Sequence, residues 1–322
     1  MQVIGIGNAI VDVICKVDDD FLKKNQLVKS TMKLINEDEF RKLLSVLKIE
    51  ETIAGGSVAN SMVGLSQLGN QVGFIGKVND DELGSKYEKG LKNENVNYLY
   101  KKKKENIETG TCLILITPDS ERTMCTYLGI AGKISERDID TNLIQKSDLT
   151  FLEGYLWDKG EPQLAFEKAM KNSNKIAMTL SDKFCVERHK KNFLDLVKNK
   201  LDIIFANENE IKTLYECDKK EALENAGENV NVAIATLGAE GSLIYNEKQF
   251  IKSEAFKVEA IDTTGAGDNY AAGFLYMYGM DAPLIDCMNA GSLCASETIK
   301  SLGARPTSNL KDLLIENNII KN

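Results

Sequence analysis

The string Asp262-Thr263-Thr264-Gly265-Ala266-Gly267-Asp268 precedes an apolar helical pattern at Ala271, Ala272, Phe274 and Leu275. Glycines at a loop-to-helix junction leave backbone N–H groups free, let an oxyanion approach closely, and add the partial positive charge of a helix N-terminus. Asp268, three residues after Gly265, falls in the first helical turn beside that anion hole. A bare Gly-x-Gly-Asp is more often a capped glycine turn; seven such residues ahead of an apolar helix favour a reactive site.

Three further strings carry chemistry. In Ala54-Gly55-Gly56-Ser57-Val58-Ala59-Asn60-Ser61, paired glycines permit close approach of backbone to ligand, and Asn60 offers both donor and acceptor. Gly5-Ile6-Gly7-Asn8-Ala9-Ile10-Val11-Asp12 imitates a dinucleotide fingerprint, but Ile10 stands where the third glycine belongs, which disfavours a dehydrogenase. Asn207-Glu208-Asn209-Glu210 follows an apolar run; by itself it reads first as a helix cap with favourable acids. Behind it lies the turn Thr236-Leu237-Gly238-Ala239-Glu240-Gly241. No Walker A string is present, which excludes a P-loop kinase by pattern.

The elements that must hold these strings alternate. Short apolar runs at 3–6, 72–75, 149–152, 176–180, 203–206 and 232–237 read as buried strands. Amphipathic stretches at 59–68, 162–170, 192–198 and 208–215 read as helices, with two consecutive helices at 268–278 and 284–299. Strand and helix in alternation imply a doubly wound α/β fold, its mostly parallel central sheet covered by helices on both faces. Residues 12–35 and 107–128 break the rhythm, the second as a hairpin around Pro118-Asp119-Ser120. They are expected to form a small separate sheet, a lid built from about 12–35 and 97–130 on a single domain spanning 1–322.

Composition narrows the function classes. The chain has 322 residues, 43% hydrophobic and 27% charged, with net charge −8, which argues against non-specific binding to nucleic acid or anionic membranes. No apolar run approaches the roughly 18 residues of a membrane span, and the N-terminus does not read as a signal peptide. Seven cysteines without Cys-x-x-Cys spacing predict reduced thiols and a cytoplasmic protein. His189, the single histidine, excludes His-pair zinc sites and reads as a solvated surface residue.

With these strings together, the chain resembles the ribokinase-like (PfkB) carbohydrate and nucleoside kinases from Gly5 to about Pro306. The resemblance implies that Asp268 is the catalytic base and that Gly265, Ala266 and Gly267 hold the transferring phosphoryl group. A loose transition state makes such positioning and charge stabilisation the main catalytic terms. It further implies ATP and Mg²⁺, with Asn207 and Glu210 organising the metal through water and Thr236, Gly238, Gly241, Thr264 and Asn289 near the nucleotide. Arg122 matches a lid arginine able to reach the phosphate.

Ala-Gly-Gly-Ser-x-x-Asn-Ser at 54–61, Thr109-Gly110-Thr111-Cys112, Gly154-Tyr155-Leu156 and Leu180-Ser181-Asp182-Lys183-Phe184 are similar to segments of adenosine kinases. On that basis Asn8, Asp12, Gly55, Gly56, Ser57 and Asn60 would bind a ribose, with Asp12 on its vicinal hydroxyls. Leu34, Cys112, Tyr155 and Phe184 are candidates for a flat aromatic base pocket. Val58, Ala59, Met32, Lys33 and Asn269-Tyr270 depart from the adenosine-kinase pattern, and these departures bear on base selectivity. The competing readings are a kinase of ribose, fructose or 2-keto-3-deoxygluconate, and a non-catalytic nucleoside-binding protein. A sugar-acid kinase calls for an additional buried arginine near the substrate, which the sequence does not place. The expected assembly is a monomer or homodimer.

Overall fold

The computed structural model describes residues 1–119, 121–157 and 160–321. In chain order the strands are β1 (Gln2–Ile6), β2 (Val11–Lys16), β3 (Met32–Leu34), β4 (Ile49–Ala54), β5 (Gln71–Ile75), β6 (Asn97–Tyr98), β7 (Thr111–Ile116) and β8 (Arg122–Tyr127). They continue as β9 (Leu149–Glu153), β10 (Ile176–Thr179), β11 (Ile203–Asn207), β12 (Val232–Thr236), β13 (Ser242–Asn246) and β14 (Gln249–Ser253). Nine of them form one sheet in the order β14-β13-β12-β11-β10-β9-β1-β5-β6. Pairing is parallel from β12 through β6, while β12, β13 and β14 pair antiparallel. The parallel strands are buried on both faces and therefore read as continuous apolar runs, such as Ile203, Ile204, Phe205 and Ala206.

Helices cover both faces. Val58, Ala59, Met62 and Leu65 of helix Ser57–Gln67 and Phe274 and Leu275 of helix Ala266–Tyr278 fill one core with Phe151 and Phe205. Phe166 of helix Glu161–Asn172 and Phe193 and Val197 of helix Lys183–Asn199 fill the other with Met178 and Ile204. The stretch 192–198 is thus the second half of a helix that begins at Lys183. His189 on that helix is half-buried rather than solvated, its ring 5.8 Å from that of Phe193. All seven cysteines are free.

The remaining five strands form a second sheet in the order β3-β8-β7-β2-β4. Its membership corrects the expectation in two places. Ile49–Ala54 joins it as an edge strand, antiparallel to β2. Glu50, Glu51 and Thr52 are exposed or half-buried there, so this strand lacks the apolar alternation that betrays its neighbours. Asn97–Tyr98 does not belong to it: β6 pairs with β5 at the edge of the large sheet. The hairpin forms as expected at Thr111–Ile116 and Arg122–Tyr127, with Ser120 of its turn outside the described residues.

Alternation sorts the small sheet into two faces. Val11, Val13, Cys15, Leu113, Leu115, Cys125 and Tyr127 pack into the first core, with Leu22 and Phe40 from short helices. The opposite face carries Asp12, Ile14, Cys112, Ile114, Ile116, Arg122 and Met124. Cross-strand register pairs Asp12 with Cys112, Ile14 with Ile114, Ile114 with Met124 and Ile116 with Arg122.

Candidate active site

The C-terminal ends of parallel strands are where a doubly wound sheet leaves a crevice. Here Gly7-Asn8 follow β1, β11 ends at Asn207 and β12 at Thr236, so these residues singled out from sequence arrive at one rim, joined there by Glu153 at the end of β9. The link from β1 to β2 carries the chain from the large sheet to the small one and delivers Asp12 over that rim.

Gly265 caps helix Ala266–Tyr278 with φ +76°, and no side chain caps the first turn. A β-carbon at Gly265 would meet the Ala304 carbonyl oxygen at 2.4 Å, so glycine is required twice over. At Gly267 a β-carbon would meet nothing within 4 Å. Ala266 N donates within the turn to Thr263 O at 3.3 Å, whereas the next two amides have no acceptor from a preceding helical turn. They are donors left open at the helix N-terminus, where an anion would be received. Asp262 shapes it from behind: Oδ1 accepts from Thr264 N at 3.1 Å and Thr264 Oγ1 at 2.7 Å, and Oδ2 accepts from Gly303 N at 2.7 Å.

Asp268 is aimed by the other glycine string. Ser57 Oγ donates to its Oδ1 at 2.6 Å and Asn60 Nδ2 to its Oδ2 at 3.0 Å; Ser61 Oγ donates to its carbonyl at 2.9 Å. Burial raises the Asp268 carboxyl to about 6 against the lowering effect of those two side-chain donors. A carboxylate with this proton affinity is a competent base near neutrality. Ser57 and Asn60, expected at the substrate, hydrogen-bond the Asp268 carboxylate.

Asp12 approaches from the small sheet. Gly55 gives it room: a β-carbon there would meet Asp12 Oδ2 at 2.2 Å. Burial pushes Asp12 up to about 7, with Arg305 and Arg122 pulling it down and Asp268 pushing it up. Gly56 has φ +98° and lies against the Asn8 carbonyl oxygen, 2.4 Å from where its β-carbon would be. Asn8 is buried, with its backbone N and Nδ2 both donating to Glu153 Oε1 at 3.2 Å.

Glu153 escaped sequence reasoning. It is 1% exposed, and its Oε2 accepts from Val58 N at 3.0 Å, so one carboxylate ties the end of β1 to the start of helix Ser57–Gln67. Burial raises it to about 7 against its donors at Val58 and Asn8. A glutamate closing an apolar run was the available signal. Arg305 was missed too: its Nη2 donates to Ala54 O and its Nη1 lies 3.9 Å from Glu94.

Asn207 and Glu210 form a reciprocal capping box. Glu210 N donates to Asn207 Oδ1 at 2.9 Å, Asn207 N to Glu210 Oε2 at 2.9 Å, and Asn207 Nδ2 to Glu210 Oε1 at 2.5 Å. Burial raises Glu210 to about 7, helped by the charges of Asp182 and Asp268. Among the described residues no group of three or more His, Cys, Asp or Glu side chains is arranged to hold a metal. Asn207 and Glu210 would suit contact with Mg²⁺ through water, where the metal would supply neutralisation of phosphate charge.

Beyond Gly267 opens a cavity of about 440 Å³ lined by Thr236, Gly238, Gly241, Val258, Tyr270 and Ile299 among others. Its walls suit a flat heteroaromatic group, and Ala266 and Gly267 stand at its edge. Asn289 is not part of that lining; it accepts from Ser253 Oγ at 2.8 Å and lines a neighbouring cleft.

The aromatic pocket expected of Leu34, Cys112, Tyr155 and Phe184 is not assembled as such. Cys112 is buried beside Asp12, and Leu34, 48% exposed, lies opposite Thr126 on the outermost strand of the small sheet. Tyr155 sits across the rim near Asp182, and Phe184 is 65% exposed at the start of its helix. The surface flanking Asp12 is instead aliphatic, made by Ile10, Ile14, Ile114, Ile116 and Met124 around Cys112.

Comparison with known proteins agrees with this geometry. The sequence matches the description pfkB family carbohydrate kinase over residues 22–311. An adenosine kinase from Sinorhizobium meliloti superposes with a TM-score of 0.91 at 36% identity, over 98% of this chain and 99% of that one. A probable sugar kinase from Rhizobium etli CFN 42 gives 0.90 at 34% identity, over 99% of both chains. A 5-dehydro-2-deoxygluconokinase from Geobacillus kaustophilus is 25% identical over 83% of this chain and 85% of its own length. Anion loop, aimed carboxylate and family match converge, and the chain belongs to the pfkB family of carbohydrate kinases, with the ribokinase-like fold.

Proposed function

We propose that the protein transfers the γ-phosphoryl group of ATP to the 5′-hydroxyl of a ribonucleoside, with adenosine as the acceptor that fits best. One observation carries the choice of a nucleoside: Asp12 continues, on the same sheet face, into Ile14, Ile114, Ile116 and Met124. A carboxylate suited to a vicinal diol thus adjoins an apolar roof, as a ribose bearing a base requires; a free polyol has no use for the roof.

In this reading Asp12 and the Gly55-Gly56 backbone hold the diol, and Asp268 accepts the proton of the attacking hydroxyl. Oxygens of the transferring group sit on the Gly267 and Asp268 amides. The purine of ATP occupies the cavity between Thr236 and Ile299. Mg²⁺, reached through water from Asn207 and Glu210, would neutralise phosphate charge. The small sheet acts as a lid that excludes water from the transfer.

A second reading, a sugar-acid kinase, draws on the positive field of Arg305 and Arg122 at Asp12 and on the 5-dehydro-2-deoxygluconokinase relative. Arg305 is engaged with Ala54 O and Glu94 and Arg122 with Asp262, while the Nε of each is left open, so a substrate carboxylate would have to displace one of these partners or bind at Nε. A coupled ADP-release assay with adenosine, inosine, ribose, fructose and 2-keto-3-deoxygluconate decides between the readings. Adenosine is expected to give the highest kcat/KM; a sugar or sugar acid ahead of it overturns the assignment.

A further inference from the structure

The two halves of the site lie on different elements, the acceptor loop at Ala54-Gly55-Gly56 and the anion loop at Asp262–Asp268, and some part of the chain must fix their separation. The segment Gly303-Ala304-Arg305 touches both. On the anion side Gly303 N donates to Asp262 Oδ2, and Ala304 packs on Gly265 while its carbonyl accepts from Asn269 Nδ2 at 3.0 Å. On the acceptor side Arg305 Nη2 donates to Ala54 O. The same loop is held from behind by Tyr87 Oη, which donates to Gly55 O at 3.1 Å, and by Gly55 N, which donates to Ile10 O at 2.8 Å.

We propose that Arg305 is a positioning residue for phosphoryl transfer: it ties the acceptor loop to the anion loop and supplies the buried positive charge that faces Asp12. The inference rests on the kinase reading but not on which acceptor is used. A charged donor held on a main-chain carbonyl is strong, and an arginine whose fork spans Ala54 and Glu94 cannot be replaced by a point charge without losing one contact. Asp12 is faced by Arg305, Arg122, Asp268, Cys112 and Tyr87, of which only the two arginines are cationic. Arg305 is the larger of the two influences lowering the Asp12 carboxyl, so its loss leaves Asp12 protonated to higher pH. A protonated Asp12 turns one acceptor oxygen into a donor and loses its charge, so it holds a diol more weakly.

The test compares wild type, Arg305→Gln and Arg305→Lys by calorimetric titration with two ligands. One is whichever of adenosine, ribose, fructose and 2-keto-3-deoxygluconate the wild type phosphorylates best. The other is a non-hydrolysable ATP analogue. Arg305→Gln is expected to weaken the acceptor about 10- to 100-fold, as a displaced reacting group does, while nucleotide affinity stays within about twofold. The acid limb of kcat/KM for the acceptor should move to higher pH in the Gln variant and return in Arg305→Lys, which keeps the charge but loses the fork. If the Gln variant does not fold, the Lys variant carries the test: acceptor weakened several-fold, nucleotide unchanged. Acceptor affinity within about threefold of wild type, or equal weakening of both ligands, overturns the proposal. A sugar as best acceptor overturns the adenosine assignment alone, because the inference is read from variant-to-wild-type ratios.

Discussion

Arg122 Nη1 lies 2.6 Å from Asp262 Oδ2, joining the hairpin of the small sheet to the first residue of the glycine loop. Both side chains are largely buried, at 12% and 9% exposure, so the pair is a close, poorly solvated contact between the small sheet and the glycine loop. Its acceptor oxygen also serves Gly303 N, and the other serves Thr264, so Asp262 keeps its loop in shape without the arginine. In the proposed reaction the guanidinium would exchange Asp262 for the more highly charged phosphoryl group held at the Gly267 and Asp268 amides.

From this pair we predict that Arg122→Gln lowers kcat by about 10²–10³, the effect of removing one donor to developing charge, with acceptor KM changed much less. Steady-state kinetics and thermal denaturation together check it. A fall in Tm with kcat intact would make the arginine a structural tie and nothing more.

Gly267 gives a prediction of opposite sign for stability and activity. Its missing side chain faces open space, and it lies in the first turn of a helix, where alanine is favoured over glycine by at most about 1 kcal/mol. Gly267→Ala should keep or raise Tm while lowering kcat at least about tenfold, because the new methyl group occupies space the phosphoryl group needs. Gly55→Ala should behave differently: its methyl collides with the Asp12 carboxylate, so acceptor KM rises and ATP KM does not. Equal effects of the two variants on both substrates would contradict the division of the site.

The pH dependence follows from the buried carboxyls. Asp12, Glu153 and Glu210 are raised to about 7 and Asp268 to about 6, each chiefly by burial. Between the ordinary carboxylate range and these values the folded protein binds more protons than the unfolded chain, so stability falls as pH rises from about 4 to about 7. Activity moves the other way, because Asp268 must be ionised to accept a proton and Asp12 to hold a diol. Between pH 5 and 7.5, Tm should decline while kcat/KM climbs, on a limb steeper than one ionisation. Parallel changes in the two quantities would remove these carboxyls from control of either.

Much of this was legible because local rules and tertiary roles coincide. The apolar runs at β1, β5 and β9 through β12 are parallel strands that must be buried on both faces, and Gly265 and Gly56 need positive φ whatever surrounds them. What escaped is defined only by the fold. Glu153 and Arg305 take their contacts from partners 95 to 251 residues away, and only the place of Glu153 at the end of an apolar run hints at one. The edge strand Ile49–Ala54 is polar because one of its faces meets solvent. Around Asp12 the sequence suggests an aromatic pocket, while strand alternation, which residue type alone does not reveal, puts Ile14, Ile114 and Met124 on the same sheet face as Asp12.

Asp268→Asn should retain both substrates and lose kcat by roughly 10²–10⁴, about 3–5 kcal/mol of barrier, as for loss of a general base. Asparagine preserves the contact with Ser57 Oγ through its carbonyl oxygen but turns an N–H₂ toward one of the donors, so modest loss of Tm is also expected. A variant with more than a third of wild-type kcat would remove Asp268 from the reaction.

The acceptor itself supplies the sharpest prediction. If Asp12 holds the vicinal diol with the 5′-hydroxyl turned to Asp268, then 2′-deoxyadenosine leaves one Asp12 oxygen without a donor in a closed site. Losing a hydrogen bond to a charged group costs about 1.5–3 kcal/mol, so kcat/KM should drop by roughly 10- to 150-fold relative to adenosine. Ribose keeps the diol but forgoes the aliphatic face of Ile14, Ile114 and Met124, and should be poorer still, with the loss expressed mainly in KM. Ile114→Ser, which adds a polar atom to that face without touching Asp12, should weaken adenosine several-fold and leave ribose nearly unchanged. Asp12→Ala should erase the distinction between adenosine and its 2′-deoxy form along with most activity. Should adenosine and ribose respond alike to Ile114→Ser, the roof does not contact a base, and a sugar takes the nucleoside's place as the acceptor.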